Sequence, residues 1–196
     1  MTSAKPFDNQ IAVVTAGAQG IGLAPARRMA EEGAIVIIAD RAADATQATV
    51  DRLRDNGCDV HAAIFDLEKC EGATELYRTV ADQFGQIDVA VHNVCGTIWA
   101  KPYWDSTPDE ICAEINRSVW PTLWCRHAVL PYMLAAGRGS VVNIGSVATR
   151  GVNKTPYPAA KDGVAALTAA LSLNWKPAVS ELAVCDLTVA YPGCRK

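Results

Sequence analysis

Short runs rich in Val and Ile recur along the chain, each followed by a stretch of helical periodicity, and this alternation restricts the fold more than any other feature. Gln10-Ile-Ala-Val-Val-Thr15 and Ala34-Ile-Val-Ile-Ile-Ala39 carry apolar side chains at every interior position. A strand made from such a run is buried on both faces, because period-2 alternation would otherwise mark a solvated side. Covering both faces takes helices on either side of a parallel sheet. The expected fold is therefore α/β, a doubly wound parallel sheet in three layers.

The remaining elements follow the same rhythm. Strands are expected over residues 10–15, 34–39, 59–65, 87–91, 140–144 and 182–189. Helices are expected over 20–32, 44–56 and 70–84, stopped by Gly33, Gly57 and Gly85. A long aromatic loop over 93–107 holds Trp99, Tyr103 and Trp104. Thr107-Pro108-Asp109-Glu110 then supplies a cap, a proline at N1 and an acidic first turn. Helical pattern continues to about residue 134 with breaks or kinks at Pro121 and Pro131, and a last helix covers 156–173. With no repeat, low-complexity tract or linker, one domain over 1–196 is expected.

Composition narrows the partners. Half of the 196 residues are apolar (50%) and the net charge is −3, which offers no basic footprint for nucleic acid or an anionic membrane. The start is polar, without an apolar signal segment, and no run is long enough to span a bilayer. Seven cysteines, odd in number and lacking any Cys-x-x-Cys pair, read as reduced thiols of a cytoplasmic protein. The three histidines share no ligand spacing with the thiols or each other, so no metal is expected. Small molecules are the expected ligands.

Thr15-Ala-Gly-Ala-Gln-Gly-Ile-Gly22 joins the first strand to the first helix. Such a turn exposes bare backbone N–H groups at the positive end of a helix, where a pyrophosphate can sit. Gly17, Gln19, Gly20, Ile21 and Gly22 are the expected contacts. Asp40 closes the second strand, where a carboxylate accepts ribose hydroxyls and repels a 2′-phosphate, favouring NAD over NADP; its other reading is an ordinary turn residue. Arg41 beside it softens that exclusion. Asp66 either accepts from an adenine amino group, with Leu67 against the ring, or caps a turn.

Tyr157-Pro-Ala-Ala-Lys161 places a phenol and an ammonium on one helical face. A free tyrosine has a pKa near 10 and is a poor base at neutral pH, but a nearby ammonium stabilises the phenolate. Ser146, after the fifth strand, can hold a substrate oxygen beside that phenol.

Thr15 to Gly22, Asp40, Asp66, His92-Asn-Val-Cys-Gly96, Ser146 and Tyr157…Lys161 stand in the order found in short-chain dehydrogenases/reductases, and the chain resembles that family over residues 7–173. A narrower likeness covers Gly96-Thr-Ile-Trp-Ala-Lys-Pro-Tyr103, Pro121-Thr-Leu-Trp-Cys125 and Ser146-Val-Ala-Thr-Arg-Gly-Val-Asn153. These segments look like the cis-diol dehydrogenases that act on 1,6-dihydroxycyclohexa-2,4-diene-1-carboxylate in benzoate breakdown. The resemblance implies a Rossmann-type fold with NAD as cofactor. Ser146, Tyr157 and Lys161 become the catalytic set, and Asn93, Tyr157 and Lys161 join the cofactor contacts. The implied reaction oxidises a cis-dihydrodiol carboxylate to a catechol with loss of CO2.

A carboxylated substrate invites a cation, and Arg150 and Lys154, between Ser146 and Tyr157, are the candidates, with solvated loop charges as the alternative. Trp99 and Trp104 either line an aromatic pocket or pack inside. A homo-oligomer, a tetramer through the helices over 108–134 and 156–173, is implied by resemblance. Two rival readings stay open: a dehydrogenase/reductase for another alcohol or ketone, and a truncated, catalytically silent nucleotide-binding or interaction protein.

Several positions depart from the family pattern. Ala16 and Cys95 stand at usual glycines, His92 at a usual asparagine, and Ser118 at the helix asparagine of the proton relay. Pro25 enters the first helix and is tolerable only within its first turn. Relatives continue past the Pro-Gly turn at Tyr191-Pro-Gly-Cys-Arg-Lys196 into a substrate-covering helix and a last strand, so this domain is expected to lack both.

Overall fold

Every run expected to be a strand pairs with a neighbour in the computed structural model, which describes residues 5–147, 153, 155–175 and 181–189. In chain order the elements are β1 (Ile11–Thr15), α1 (Gly20–Glu31), β2 (Ile35–Asp40), α2 (Ala43–Asp55), β3 (Val60–Ile64) and α3 (Cys70–Phe84). They continue with β4 (Val89–His92), α4 (Pro108–Ser118), α5 (Trp120–Ala136), β5 (Arg138–Ser146), α6 (Pro156–Trp175) and β6 (Glu181–Val189). The strands form one six-stranded sheet in the order β3-β2-β1-β4-β5-β6, every pair parallel.

The chain winds outward from β1 to β3, then returns to start β4 on the other side of β1. Crossover helices therefore leave opposite faces at this point, and a crevice opens beyond the strand ends, where Thr15 and His92 lie.

Both faces are dry. Val13, Ile37 and Ala39 point toward α3 and α5, packing with Leu76, Tyr77, Cys125, Val129 and Met133. Their sequence neighbours Val14, Val36 and Ile38 point the other way, onto Ala26, Met29, Val50 and Leu53 of α1 and α2. Burying each such Val, Ile or Leu contributes about 1.5–3 kcal/mol, which is why these strands tolerate no polar alternation.

Element ends follow side-chain bonding more than propensity. Asp88 (9% exposed) accepts from Ile11 N–H at 2.8 Å and meets Arg138 at 3.1 Å, tying together the starts of β1, β4 and β5. Strand pairing consequently begins at Val89 rather than Ile87. The expected break in the long helix falls at Val119, which ends α4 and opens α5, and Pro121 then sits in the first turn of α5 without cost. Pro131 stays inside α5. His127, whose carbonyl loses its donor, is on the exposed side.

Pro25 corrects an expectation. It lies beyond the first turn of α1, yet the helix runs on to Glu31. Burial of Ala26, Met29 and Ala30 against the sheet offsets the one backbone hydrogen bond that proline removes. No helix among the described residues is long and apolar enough to cross a membrane.

Candidate active site

A cleft of about 380 Å³ opens at the crevice between β1 and β4. Its walls come from the turn after β1 (Ala16, Gln19, Ile21), the end of β2 (Asp40, Arg41), the turn after β3 (Phe65 to Glu68) and the segment after β4 (Asn93 to Gly96).

The glycine turn is locked from beneath. Thr15, buried at the end of β1, donates its hydroxyl to the Val91 carbonyl at 3.3 Å and accepts from Asn93 N–H at 2.9 Å. Asn93 returns the contact through Nδ2, donating to the Ala16 carbonyl at 3.1 Å. A Cβ on Gly22 would stand 2.3 Å from the Ala16 oxygen and 2.6 Å from Asn93 Nδ2, so only glycine lets α1 approach this turn. At Gly17 a Cβ would press on Ile38 and the Val14 carbonyl, each at 3.1 Å. Ala16 itself holds φ at +49°, a left-handed conformation that costs an L-residue energy.

The residues present fit a dinucleotide. Gln19 precedes α1 without any side-chain cap, and the first turn carries no acid, so the positive end of the helix dipole is left for an anion. Asp40 is half-buried at the cleft wall, and its carboxylate also accepts Ala42 N–H at 3.2 Å. The turn reading of Asp40 is observed, and its place in the cleft wall is compatible with the ribose reading. Asp66 is placed similarly: it lines the cleft, accepts Glu68 N–H at 3.2 Å and meets Lys69 at 3.5 Å. Leu67 (4% exposed) is part of the wall and of the core beneath it.

β5 ends on Ser146, and Tyr157 is in the first turn of α6. The phenol of Tyr157 hydrogen-bonds with the side chains of Ser146 and Cys95. Cys95 lines the cleft, and Tyr157, which does not itself line it, adjoins the rim through Cys95. Burial pushes the phenol above its usual pKa, the Ser146 hydrogen bond pulls it down, and Cys95 and the Glu114 charge push it up. The expected lowering by Lys161 is not among these effects. Lys161 (2% exposed) donates its ammonium to the Ile144 carbonyl instead. The four-residue spacing puts both groups on one face of α6, but the backbone of β5 is the nearer acceptor.

His92 is a structural residue. It is 2% exposed and does not line the cleft. The hydroxyl of Thr168 donates to Val164 O at 2.8 Å and accepts from Asn143 Nδ2 at 2.7 Å. That fixes Asn143 Oδ1 as acceptor for His92 Nδ1–H at 3.0 Å, leaving Nε2 to accept from the Tyr77 hydroxyl at 2.9 Å. Burial lowers the imidazole pKa to about 3, so it is neutral. Ser118 ends α4 fully buried, with no hydrogen-bond partner for its hydroxyl among the described residues.

Three further groups escaped the sequence. Glu68 accepts from Arg41 Nη1 at 3.0 Å and pairs with Arg117 Nε at 3.5 Å, which only the fold brings together. Gly72 lets α3 pack on the Asp66 carbonyl, 2.1 Å from where its Cβ would be. Glu114 (2% exposed) accepts Ile98 N–H at 2.9 Å and anchors the aromatic loop to α4. One signal marked it: Glu114 falls on the stripe of α4 that Ile111, Ile115 and Ser118 define. Within that loop Trp104 is 83% exposed, which fits neither interior packing nor a closed pocket, while Trp99 stands beside Glu114 in a small recess. Arg150 and Lys154 lie outside the described residues.

A crevice at the strand-order reversal, a glycine turn at a helix start and a Ser-Tyr pair on its rim define a dinucleotide-binding α/β protein. Residues 10–190 match the family model described as short chain dehydrogenase, and the chain belongs to that family. It is 43% identical over 174 residues to the 1,6-dihydroxycyclohexa-2,4-diene-1-carboxylate dehydrogenase of Acinetobacter baylyi, covering 89% of this chain and 66% of that protein. To the protein of the same name from Pseudomonas putida it is 44% identical over 170 residues, covering 87% and 62% respectively. The chain thus spans less than two thirds of these relatives' length. Among solved structures, NAD+-bound xylitol dehydrogenase superposes with a TM-score of 0.89 at 25% identity, over 96% of this chain and 74% of that one.

Proposed function

We propose that this chain oxidises a secondary hydroxyl of a cis-dihydrodiol carboxylate with NAD, giving a catechol and CO2. The observation that carries the reading is the Tyr157 phenol, held by Ser146 and Cys95 at the rim of the glycine-turn cleft. Gly17, Gln19, Gly20, Ile21 and Gly22 would hold the pyrophosphate, Asp40 the adenosine ribose, Asp66 and Leu67 the adenine, and Asn93 keeps the turn in shape. When bound, NAD supplies the hydride acceptor.

In this reading Ser146 donates a hydrogen bond to the substrate hydroxyl oxygen and holds it beside Tyr157. Tyr157 takes the hydroxyl proton as the carbon gives up its hydride. A half-buried phenol with a raised pKa keeps its own proton at neutral pH, so forming the phenolate needs help. Once the single Ser146 O–H turns to the substrate oxygen it no longer lowers the phenol's pKa, so the help falls to Lys161, whose ammonium, turned from the Ile144 carbonyl, would stabilise the phenolate and hold the nicotinamide ribose. Oxidation places a ketone β to the carboxylate. The C–C bond to the carboxylate then breaks, CO2 leaves, and the electron pair it leaves behind completes an aromatic catechol after proton transfer. Arg150 and Lys154 are the proposed carboxylate contacts. Free thiols at Cys58, Cys70, Cys95, Cys112 and Cys125 support a reducing, cytoplasmic setting.

A second reading within the family is oxidation of a different alcohol, since the carboxylate specificity rests on similarity to relatives that act on such a diol. A panel of diols and simple alcohols with NAD, followed by NADH absorbance, separates the two. The proposal expects the carboxylated cis-diol to give the highest kcat/KM and equimolar catechol. Preference for an uncharged alcohol, with no catechol formed, would rule it out.

A further inference from the structure

Cofactor discrimination in this family of sites is usually sought at the end of β2, which here offers contradictory residues. Asp40 repels a 2′-phosphate, yet Arg41, next along the chain and also in the cleft wall, is the kind of side chain that receives one. The structure resolves the contradiction through a third residue. We infer that Glu68 is a specificity-determining residue that withholds Arg41 from a 2′-phosphate and so strengthens the preference for NAD; this rests on the dinucleotide reading of the cleft.

The geometry is specific. Glu68 follows Leu67 in the turn after β3, beside the end of the neighbouring strand β2, and both segments lie in the cleft wall. Its Oε1 accepts from Arg41 Nη1 at 3.0 Å and lies 3.5 Å from Arg117 Nε of α4. One carboxylate oxygen therefore sits between two guanidiniums, hydrogen-bonded to Arg41 and in ion-pair range of Arg117. Arg117 Nε is buried and has no hydrogen-bond partner among the described residues, so its approach to Glu68 is an ion-pair contact that favours the carboxylate's place by charge alone. The Asp66 carboxylate fixes the turn itself by accepting Glu68 N–H at 3.2 Å.

A 2′-phosphate arriving beside Asp40 would meet two obstacles. Asp40 repels it directly. Arg41 could compensate only by breaking its bond to Glu68, whose own negative charge stays on the spot. Because the Arg41 and Glu68 side chains are 57% and 28% exposed, water screens their pairing, and freeing Arg41 is worth a factor of about five at most. Asp40 therefore keeps the larger share, and loss of Glu68 narrows the preference without inverting it.

Calorimetric titration of the full chain with NAD+ and with NADP+ tests this on the wild type, Glu68→Gln and the double variant Glu68→Gln/Arg41→Ala. The expected result is a rise of about fivefold in the ratio of NADP+ to NAD+ affinity for the single variant, reversed when Arg41 is also removed. An unchanged ratio while NAD+ still binds overturns the role of Glu68, as does a gain that survives Arg41→Ala. Failure of the wild type to bind either dinucleotide would be a different result, because it removes the underlying cofactor reading as well.

Discussion

Ala16 shows how a single dihedral angle carries a testable consequence. Its φ of +49° places a methyl-bearing residue where the chain turns left-handed, between the Thr15 lock and the Gly17 contact with Ile38. Left-handed backbone costs an L-residue about 1–2 kcal/mol, whereas glycine gives back about 0.5–1 kcal/mol through the extra freedom of its unfolded state. Strain wins narrowly. Ala16→Gly should raise stability by up to about 1 kcal/mol, seen as a melting rise of about 2–4 °C for a chain of this size. A lower melting temperature would show that the turn is not strained. Among the candidate site residues, those positioned by local order were legible in the sequence: the glycine turn, Asp40 and Asp66 at strand ends, and Tyr157 and Lys161 on one face of α6. The sequence could not show Glu68 beside Arg41 or Cys95 against Tyr157, because these contacts join residues far apart in the chain. Nor could it show that Lys161 would find the Ile144 carbonyl, since periodicity places a side chain on a face without choosing its partner.

At the scale of elements, strands buried on both faces were legible because nothing but a parallel sheet accommodates them, and α3 was legible from its amphipathic stripe and Gly85 stop. Boundaries set by side chains, such as the Asp88 clasp before β4, were not. Pro25 alone was read too severely. Pro25 sits in a helix whose buried face outweighs one missing hydrogen bond. α5 hides a further feature. Arg126 is 1% exposed, and Nε, Nη1 and Nη2 have no hydrogen-bond partner among the described residues. Burial drags its pKa down to about 10, so at neutral pH the helix still carries a charge in the core. Replacing Arg126 with Met, of similar length and no charge, should stabilise the fold by about 1–4 kcal/mol in urea unfolding at pH 7. A lower urea midpoint for Arg126→Met would mean that the guanidinium contributes favourably, and the burial argument would fail.

Over the whole molecule, one polar chain crosses the core: Tyr77 of α3, His92 of β4, Asn143 of β5 and Thr168 of α6. It links α3 to α6 across the neighbouring strands β4 and β5, on the side opposite α1 and α2, and it makes folding depend on pH. His92 titrates at about 3 when folded and near 6.5 when unfolded, so between these values the unfolded state binds the extra proton. Stability from this residue is complete above pH 6.5 and is lost as pH falls toward 3, at about 1.4 kcal/mol per unit. Denaturant unfolding between pH 7 and 4 should show that slope, and His92→Asn, which cannot titrate, should flatten it. An equal slope in the variant would move the acid sensitivity elsewhere.

The same sheet that needs this buried network also presents the cleft, and the account of function depends on what happens at the rim. Steady-state turnover and NAD+ affinity, measured together on Tyr157→Phe, test it most directly. Turnover of the cis-diol should fall by at least about a hundredfold while NAD+ still binds, because the phenol's proton transfer is removed and the glycine-turn cradle is not. Turnover close to wild type in that variant would contradict it.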